Sequence, residues 1–424
     1  MRNRAVLLGF FLLLGVTAAA FAEPSISGTA VWNERGIEHY RAGNYRNAVT
    51  CFETAFRLLP DDETLRFNLA SAHARLAVDL ARATLSPASY AEALLHAEEA
   101  IALVGDHAYF HSVLGFVHQE KRNYGEAYAA FARAAELDPK DGGARVLMGN
   151  AAYELDDLEK AIHQWNKALD IDPDLDHVNE RLDKADREIL IEERFRTVEN
   201  THFRLRYDPD QPDASRIARD LLDLFDEARS DVLGTLLNRG AEKTSVVVYR
   251  PEDFRAIMGG REWTGGLYDG KIRVPFPREG DSDDPFQTLA VHEYVHAVIY
   301  EWTSDRCPAW LNEGLAQYLA GEWNGTREKE ARRLAREGDL IPLASLERSF
   351  LDLDAGEVDG AYVESYVVVS YLLQTYTARH LHRLLDRIAE GEEVPDALRQ
   401  VLRVTEEELL QSAFAPYRRE VAAR

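Results

Sequence analysis

Cysteine is nearly missing from this chain of 424 residues: Cys51 and Cys307 are the only two. They fall in segments of different character, so a disulfide framework is excluded. One bridge between the segments stays open, and burial as two small hydrophobes is the expectation. Positive charge is also short. Against 73 Asp and Glu stand 49 Lys and Arg, a formal net charge of −24. So acidic a surface excludes the usual electrostatics of nucleic-acid or anionic-lipid binding. Long apolar runs are missing after Ala20, so nothing later in the chain is fit to span a membrane.

The N-terminus is the exception. Arg2 and Arg4 precede an apolar run from Ala5 to Ala20, and Ala20-Phe21-Ala22 stands before Glu23 as a small-x-small cleavage site. The run is short for a spanning helix, and no cysteine follows it to carry a lipid. Residues 1–22 are therefore expected to be an export signal. That places the mature protein in the periplasm or outside the cell, and membrane association would need the signal to stay uncleaved. The 46% hydrophobic content is ample for more than one core.

Residues 29–175 repeat with a period of 34, the tetratricopeptide (TPR) period. Gly36, Ala70, Gly115 and Gly149 mark equivalent small positions, and the second interval is longer by an insertion that includes Thr84 to Ser89. A second-helix pattern follows in Ala48, Phe52, Ala55 and Pro60, and again in Ala127, Phe131, Ala134 and Pro139 and in Ala161, Trp165, Ala168 and Pro173. Small residues let paired helices approach, the aromatic fills the gap between neighbours, and proline ends the second helix. About four such units form an all-α solenoid whose groove suits a peptide or partner protein, here one of the cell envelope. Asn33, Asn68, His111 and Asn150 either line that groove or form a solvated face. Residues 176–199 read as a capping helix and linker.

From residue 200 the periodicity changes. Strands are expected at His202–Tyr207 and Thr244–Tyr249, an amphipathic helix from Ala214 to Leu236, and a short helix from Pro251 to Met258. Gly265 to Pro275 reads as a hairpin turning at Asp269-Gly270. Beyond it, Asp284-Pro285-Phe286-Gln287 offers an N-cap, a first-turn proline and a capping-box glutamine for a helix. That helix carries His292-Glu293-Tyr294-Val295-His296. Residues four apart share a helix face, so both imidazoles can hold one metal ion, with Glu293 beside the ion as a base for the attacking water. Pro308-Ala-Trp-Leu-Asn-Glu313-Gly-Leu-Ala316 then supplies Glu313 as third ligand, returned over the histidines by a turn near Ser304 to Pro308.

The segments HEYVHAVI and PAWLNEGLAQYLAG resemble the gluzincins, the thermolysin-like clan of zinc peptidases. They are especially similar to the peptidase-MA-like domains that bacteria attach to helical repeats. The resemblance implies an α+β zincin-like domain over residues 200–424 with a mainly helical C-terminal part, and Zn2+ on His292, His296 and Glu313. It implies peptide-bond hydrolysis with Glu293 as general base, on a protein or peptide substrate bound as an added strand beside the hairpin, unless that hairpin merely connects. The G-x-M-E-N segment with which the clan's large aminopeptidases hold a free amine is missing, which points to an endopeptidase. An oxyanion donor in this clan is commonly tyrosine or histidine. Tyr362 and Tyr366 share one helix face, and the similar Y-x-x-S-Y of related domains favours Tyr362. The alternative is two core tyrosines. A carboxylate four residues after the ligand glutamate often supports a zinc histidine, and here that position is the uncharged Gln317. After it, Arg327 to Arg336 reads as a solvated helix. The competing functional reading is a non-catalytic envelope scaffold whose peptidase-like domain binds zinc or peptide without cleaving it.

Overall fold

The computed structural model describes residues 24–83, 87–236, 243–257, 267–276, 283–348, 350, 353 and 355–422. The expected export signal lies outside them, as do residues 84–86 of the insertion and 265–266 of the hairpin. The chain divides into two compact units that meet at Ile189 and Leu190.

The first unit is four helix pairs and a cap. The pairs are α1 (Pro24–Arg41) with α2 (Tyr45–Leu58), α3 (Glu63–Ala83) with α4 (Pro87–Leu103), α5 (Ala108–Glu120) with α6 (Tyr124–Leu137), and α7 (Gly142–Glu154) with α8 (Leu158–Ile171). The second helices end two residues before Pro60, Pro139 and Pro173, because proline disfavours helical backbone just ahead of it. The small positions serve close approach. A Cβ on Gly36, Gly115 or Gly149 would lie 2.5, 2.6 or 2.4 Å from the ring of Phe52, Phe131 or Trp165. In the second pair both partners change together: Ala70 and Ala97 are fully buried in one cluster, a methyl group on each side in place of glycine against an aromatic ring. The insertion lengthens α3 to 21 residues, where α5 and α7 have 13.

Of the polar positions read as groove or solvated face, Asn68 and Asn150 are buried in packing, while Asn33 and His111 stay partly exposed. Asn68, buried, donates to Asn33 Oδ1 at 3.0 Å. Asn150, also buried, accepts from Trp165 Nε1 at 3.2 Å and from Arg181 at 2.8 Å. His111 hydrogen-bonds the Gly105 carbonyl. Helix α9 (Asp176–Glu192) closes the stack by burying Val178, Leu182 and Ala185 in the cluster that holds Trp165. Cys51 and Cys307 are both free, Cys51 buried and Cys307 partly so.

The second unit is built on a five-stranded sheet of order β1-β2-β3-β5-β4. Its strands are β1 (Arg196–Glu199), β2 (Phe203–Tyr207), β3 (Thr244–Tyr249), β4 (Leu267–Tyr268) and β5 (Ile272–Pro275). Strands β2, β3 and β5 run parallel, and the short edges β1 and β4 antiparallel. Strand β1 lies in the segment read as linker, so the sheet begins earlier than the change in periodicity suggests. The hairpin register pairs Tyr268 with Ile272, so its turn holds Asp269, Gly270 and Lys271 rather than two residues. Gly270 takes the left-handed φ of 103° there.

One sheet face packs on α10 (Ala214–Leu236) and α12 (Asp283–Thr303), through Phe203, Leu205, Val246, Val248, Ile272 and Val274. The other face meets α11 (Pro251–Ile257) through Phe254 and Ile257. The remaining helices are α13 (Ala309–Leu319), α14 (Gly325–Glu337), α15 (Ala355–Thr375), α16 (Ala378–Ala389), α17 (Val394–Val401) and α18 (Glu406–Ala422). No described helix is long and apolar enough to cross a membrane.

Two predictions concern the repeats. Gly149→Ala should cost about 1–3 kcal/mol by overpacking against Trp165, while Gly125→Ala, with nothing within 4 Å, should cost nothing. Denaturant titration followed by Trp fluorescence compares them, and equal midpoints would refute the packing account. The second concerns His73, whose Nδ1 meets His96 Nδ1 at 2.9 Å between α3 and α4. Burial, then the charge of His96, lowers its pKa from 6.5 to about 4. The unfolded chain therefore binds more protons between those values, and stability should be lost as pH falls from about 6.5 to about 4. Urea midpoints of His73→Asn should show a shallower acid-side loss than wild type.

Candidate metal centre

Helix α12 is buried almost all round. Ala290, Val291, Tyr294, Val295, Ala297, Val298 and Ile299 face the core, which leaves His292, His296 and Tyr300 as a partly open stripe. Ser304 and Asp305, both at left-handed φ (49° and 62°), turn the chain, and Thr303 Oγ1 accepts from the Cys307 amide at 3.2 Å to hold the turn. Pro308 then opens α13, accepting from the Leu311 and Asn312 amides. Fully buried Trp310 anchors that helix in the core. Gly314 sets how closely it lies on α15: a Cβ there would stand 2.4 Å from the Ser365 carbonyl oxygen.

This geometry brings the three expected ligands together. His292 Nε2 and His296 Nε2 each lie 3.7 Å from Glu313 Oε2, and one donor atom from each residue falls within 4.8 Å of the others. Donors about 2.1 Å from a tetrahedral zinc would stand about 3.4 Å apart. The histidine tautomers fit as well. His292 Nδ1 donates to Glu322 Oε1 at 2.6 Å and His296 Nδ1 to Asn312 Oδ1 at 3.0 Å, so both Nε2 lone pairs face Glu313. Glu293 is 3% exposed, and its Oε2 is buried without a hydrogen-bond partner among the described residues. Burial, opposed by His296 and reinforced by Glu313 and Glu322, pushes its pKa up to about 7. Three donors aimed at one point beside an orphaned carboxylate oxygen fit a metal ion.

The two tyrosines have different surroundings although they share a helix face. Burial, then the charges of Glu313 and Glu293, push the Tyr362 hydroxyl above the phenol range, so it stays a protonated donor beside those carboxylates. Tyr366 instead stacks on Trp323, with ring centroids 4.5 Å apart at 19°, and packs on Tyr318. The hydroxyl of Tyr366 is raised by burial and by Tyr318, with neither Glu293 nor Glu313 contributing.

The support for His292 does not come from the position of Gln317. Gln317 Nε2 donates to the Tyr362 carbonyl at 3.2 Å and its Oε1 accepts from Arg327, while the carboxylate on His292 is that of Glu322. Sequence reasoning missed Glu322, Asn312 and Arg327. The signal for Glu322 was Gly321: at φ 69° it ends α13 in a Schellman turn, with Glu322 N bonding Gln317 O at 3.0 Å and Gly321 N bonding Tyr318 O at 3.2 Å. Asn324 then caps α14 by accepting from the Thr326 and Arg327 amides. Arg327, expected on a solvated helix, thereby folds back to Glu322 Oε2 at 2.8 Å. Burial alone would raise the Glu322 carboxyl; the hydrogen bond from His292 and the charge of Arg327 outweigh it and hold it ionised below the ordinary range.

Comparison with known proteins agrees with this division of the chain. Residues 244–412 match the family described as Peptidase MA superfamily. Residues 29–62 and 118–180 match two tetratricopeptide repeat families. No curated protein matches. Among solved structures, the chain is similar to "Crystal structure of MamA protein", at 16% identity over 38% of this chain and 81% of that one, with a TM-score of 0.31. It is also similar to "MamA 41-end from Desulfovibrio magneticus RS-1", at 20% identity over 35% and 77%, with a TM-score of 0.28. A thermophilic TPR protein of Thermus thermophilus is 20% identical over 37% of this chain and 98% of that one, with a TM-score of 0.25. The chain thus joins N-terminal tetratricopeptide repeats to a domain of the Peptidase MA superfamily.

Proposed function

We propose that the chain is an exported zinc-dependent metallopeptidase, an endopeptidase whose repeats recruit substrate or partner proteins. The observation that carries this reading is the orphaned Glu293 oxygen beside three converging donor atoms. Zinc, when bound, supplies Lewis acidity that polarises the scissile carbonyl and acidifies the attacking water. The rest falls to side chains. Glu293, buried with one oxygen unpartnered among the described residues, takes a proton from that water and delivers it to the leaving amine. Tyr362 donates to the oxyanion, and Tyr366 serves packing. The edge strand β4 supports binding of an extended peptide, since Tyr268 packs on Tyr300, one turn beyond His296, with ring centroids 5.3 Å apart. Export rests on the N-terminal 22 residues alone.

Two measurements test this. Wild type and Glu293→Gln should each carry about one zinc by mass spectrometry, with cleavage of unfolded casein reduced about 10²–10⁴-fold in the variant; Glu313→Ala should lose the metal. Zinc-free wild type, or undiminished cleavage by Glu293→Gln, would sink the reading. Tyr362→Phe should lower kcat by about 10²–10³ with zinc retained, and Tyr366→Phe by far less. Equal losses would remove the distinction between the two.

A further inference from the structure

We propose that Arg327 is the positioning residue of this centre, one guanidinium that locks the metal-binding face of α12 to the helix that carries Tyr362. The inference rests on the metallopeptidase reading. Arg327 Nη2 holds Glu322 Oε2 at 2.8 Å, and the other oxygen of that carboxylate accepts from His292 Nδ1 at 2.6 Å. Arg327 Nη1 holds Gln317 Oε1, and the other end of that amide donates to the Tyr362 carbonyl at 3.2 Å. Five groups thus form an unbroken series from a metal ligand to the backbone of the oxyanion donor. A guanidinium suits the middle of it, because its planar fork fixes the angle between two acceptors, as an ammonium does not.

The series also explains the amide at residue 317, where a carboxylate would serve a directly bonded histidine. Gln317 is fully buried, so both of its ends need partners. It must accept from a cation at one end and donate to a carbonyl at the other. A carboxylate could do only the first, and would stand beside Glu322 as a like charge. Gln317 is therefore a bridge rather than a weakened acid, and Glu322 has taken over the histidine through the Gly321 turn.

Zinc affinity, measured by competition with a chromophoric chelator, and casein turnover are compared on the full-length chain. Arg327→Met should weaken zinc binding about 10–100-fold, as Glu322→Gln does, and combining the two should add little. Arg327→Lys should return zinc affinity to within about threefold of wild type but leave kcat low at unchanged KM, because it restores the charge and not the fork. Gln317→Glu should weaken both zinc binding and turnover. Zinc held by Gln317→Glu more tightly than by wild type would overturn the bridge, as would Arg327→Met binding zinc within about threefold of wild type. Should Arg327→Met fail to fold by circular dichroism, Arg327→Lys and Gln317→Glu carry the test. Wild type without zinc would overturn the metallopeptidase reading and this inference together. Wild type that binds zinc and cleaves, while the variants match it, would overturn this inference alone.

Discussion

How closely α13 can lie on α15 decides the rest of the centre. Helix α13 brings Glu313 to the histidines and Gln317 to the Tyr362 carbonyl, and both reach only because Gly314 leaves no side chain against the Ser365 backbone. Even a methyl group at residue 314 would press on main chain, which cannot rotate away as a side chain can. The glycine of the N-E-G triplet is thus a packing requirement. The same contact brings the Tyr362 hydroxyl among the carboxylates, so ligand and hydroxyl are set by one approach between two helices.

The parts of the chain legible in the sequence are those governed by a fixed local period. Spacing of four on a helix put His292 and His296 together, and spacing of 34 put Gly36, Gly115 and Gly149 under Phe52, Phe131 and Trp165. Periodicity could not separate Tyr362 from Tyr366, since both lie on one face and differ only in what packs over them. Trp323 covers the second, and its place follows from the turn after α13. Glu322 and Arg327 were illegible for the same reason. Their positions follow from the left-handed Gly321 and the Asn324 cap in succession, and each is a weak signal until the two are read as one corner. Strand β1 was hidden in a charged stretch because it is an exposed edge, where no apolar alternation is needed.

Charge balance explains why a protein so acidic places arginine at this corner. Glu293, Glu313 and Glu322 crowd the two histidines, and their mutual repulsion contributes to the raised pKa of Glu293. The hydrogen bond and charge of His292, and then Arg327, hold Glu322 below the ordinary carboxylate range, while burial raises Glu293. Three carboxylates of the same intrinsic chemistry thereby meet three environments: Glu313 faces both imidazoles, Glu293 is buried without a partner for one oxygen among the described residues, and Glu322 is bonded on both sides. Burial and the partners of each carboxylate sort them.

Moving the supporting carboxylate from a helix face to a turn has a structural consequence. A side chain one helical turn beyond Glu313 would be fixed by the rigidity of α13 alone. Glu322 depends instead on a Schellman turn and a capped helix start, each worth about 1 kcal/mol and each able to fray without unfolding the domain. The orientation of His292 is therefore linked to local order at residues 320–327, outside the helices that supply the ligands. The buried amide of Gln317 offsets that weakness. It fastens the corner to α15, so loosening the turn must also expose an unpaired amide oxygen, which costs about 1–3 kcal/mol. At this corner, the tolerance of the turn is limited by the hydrogen-bond needs of a residue that is not among the three converging donors.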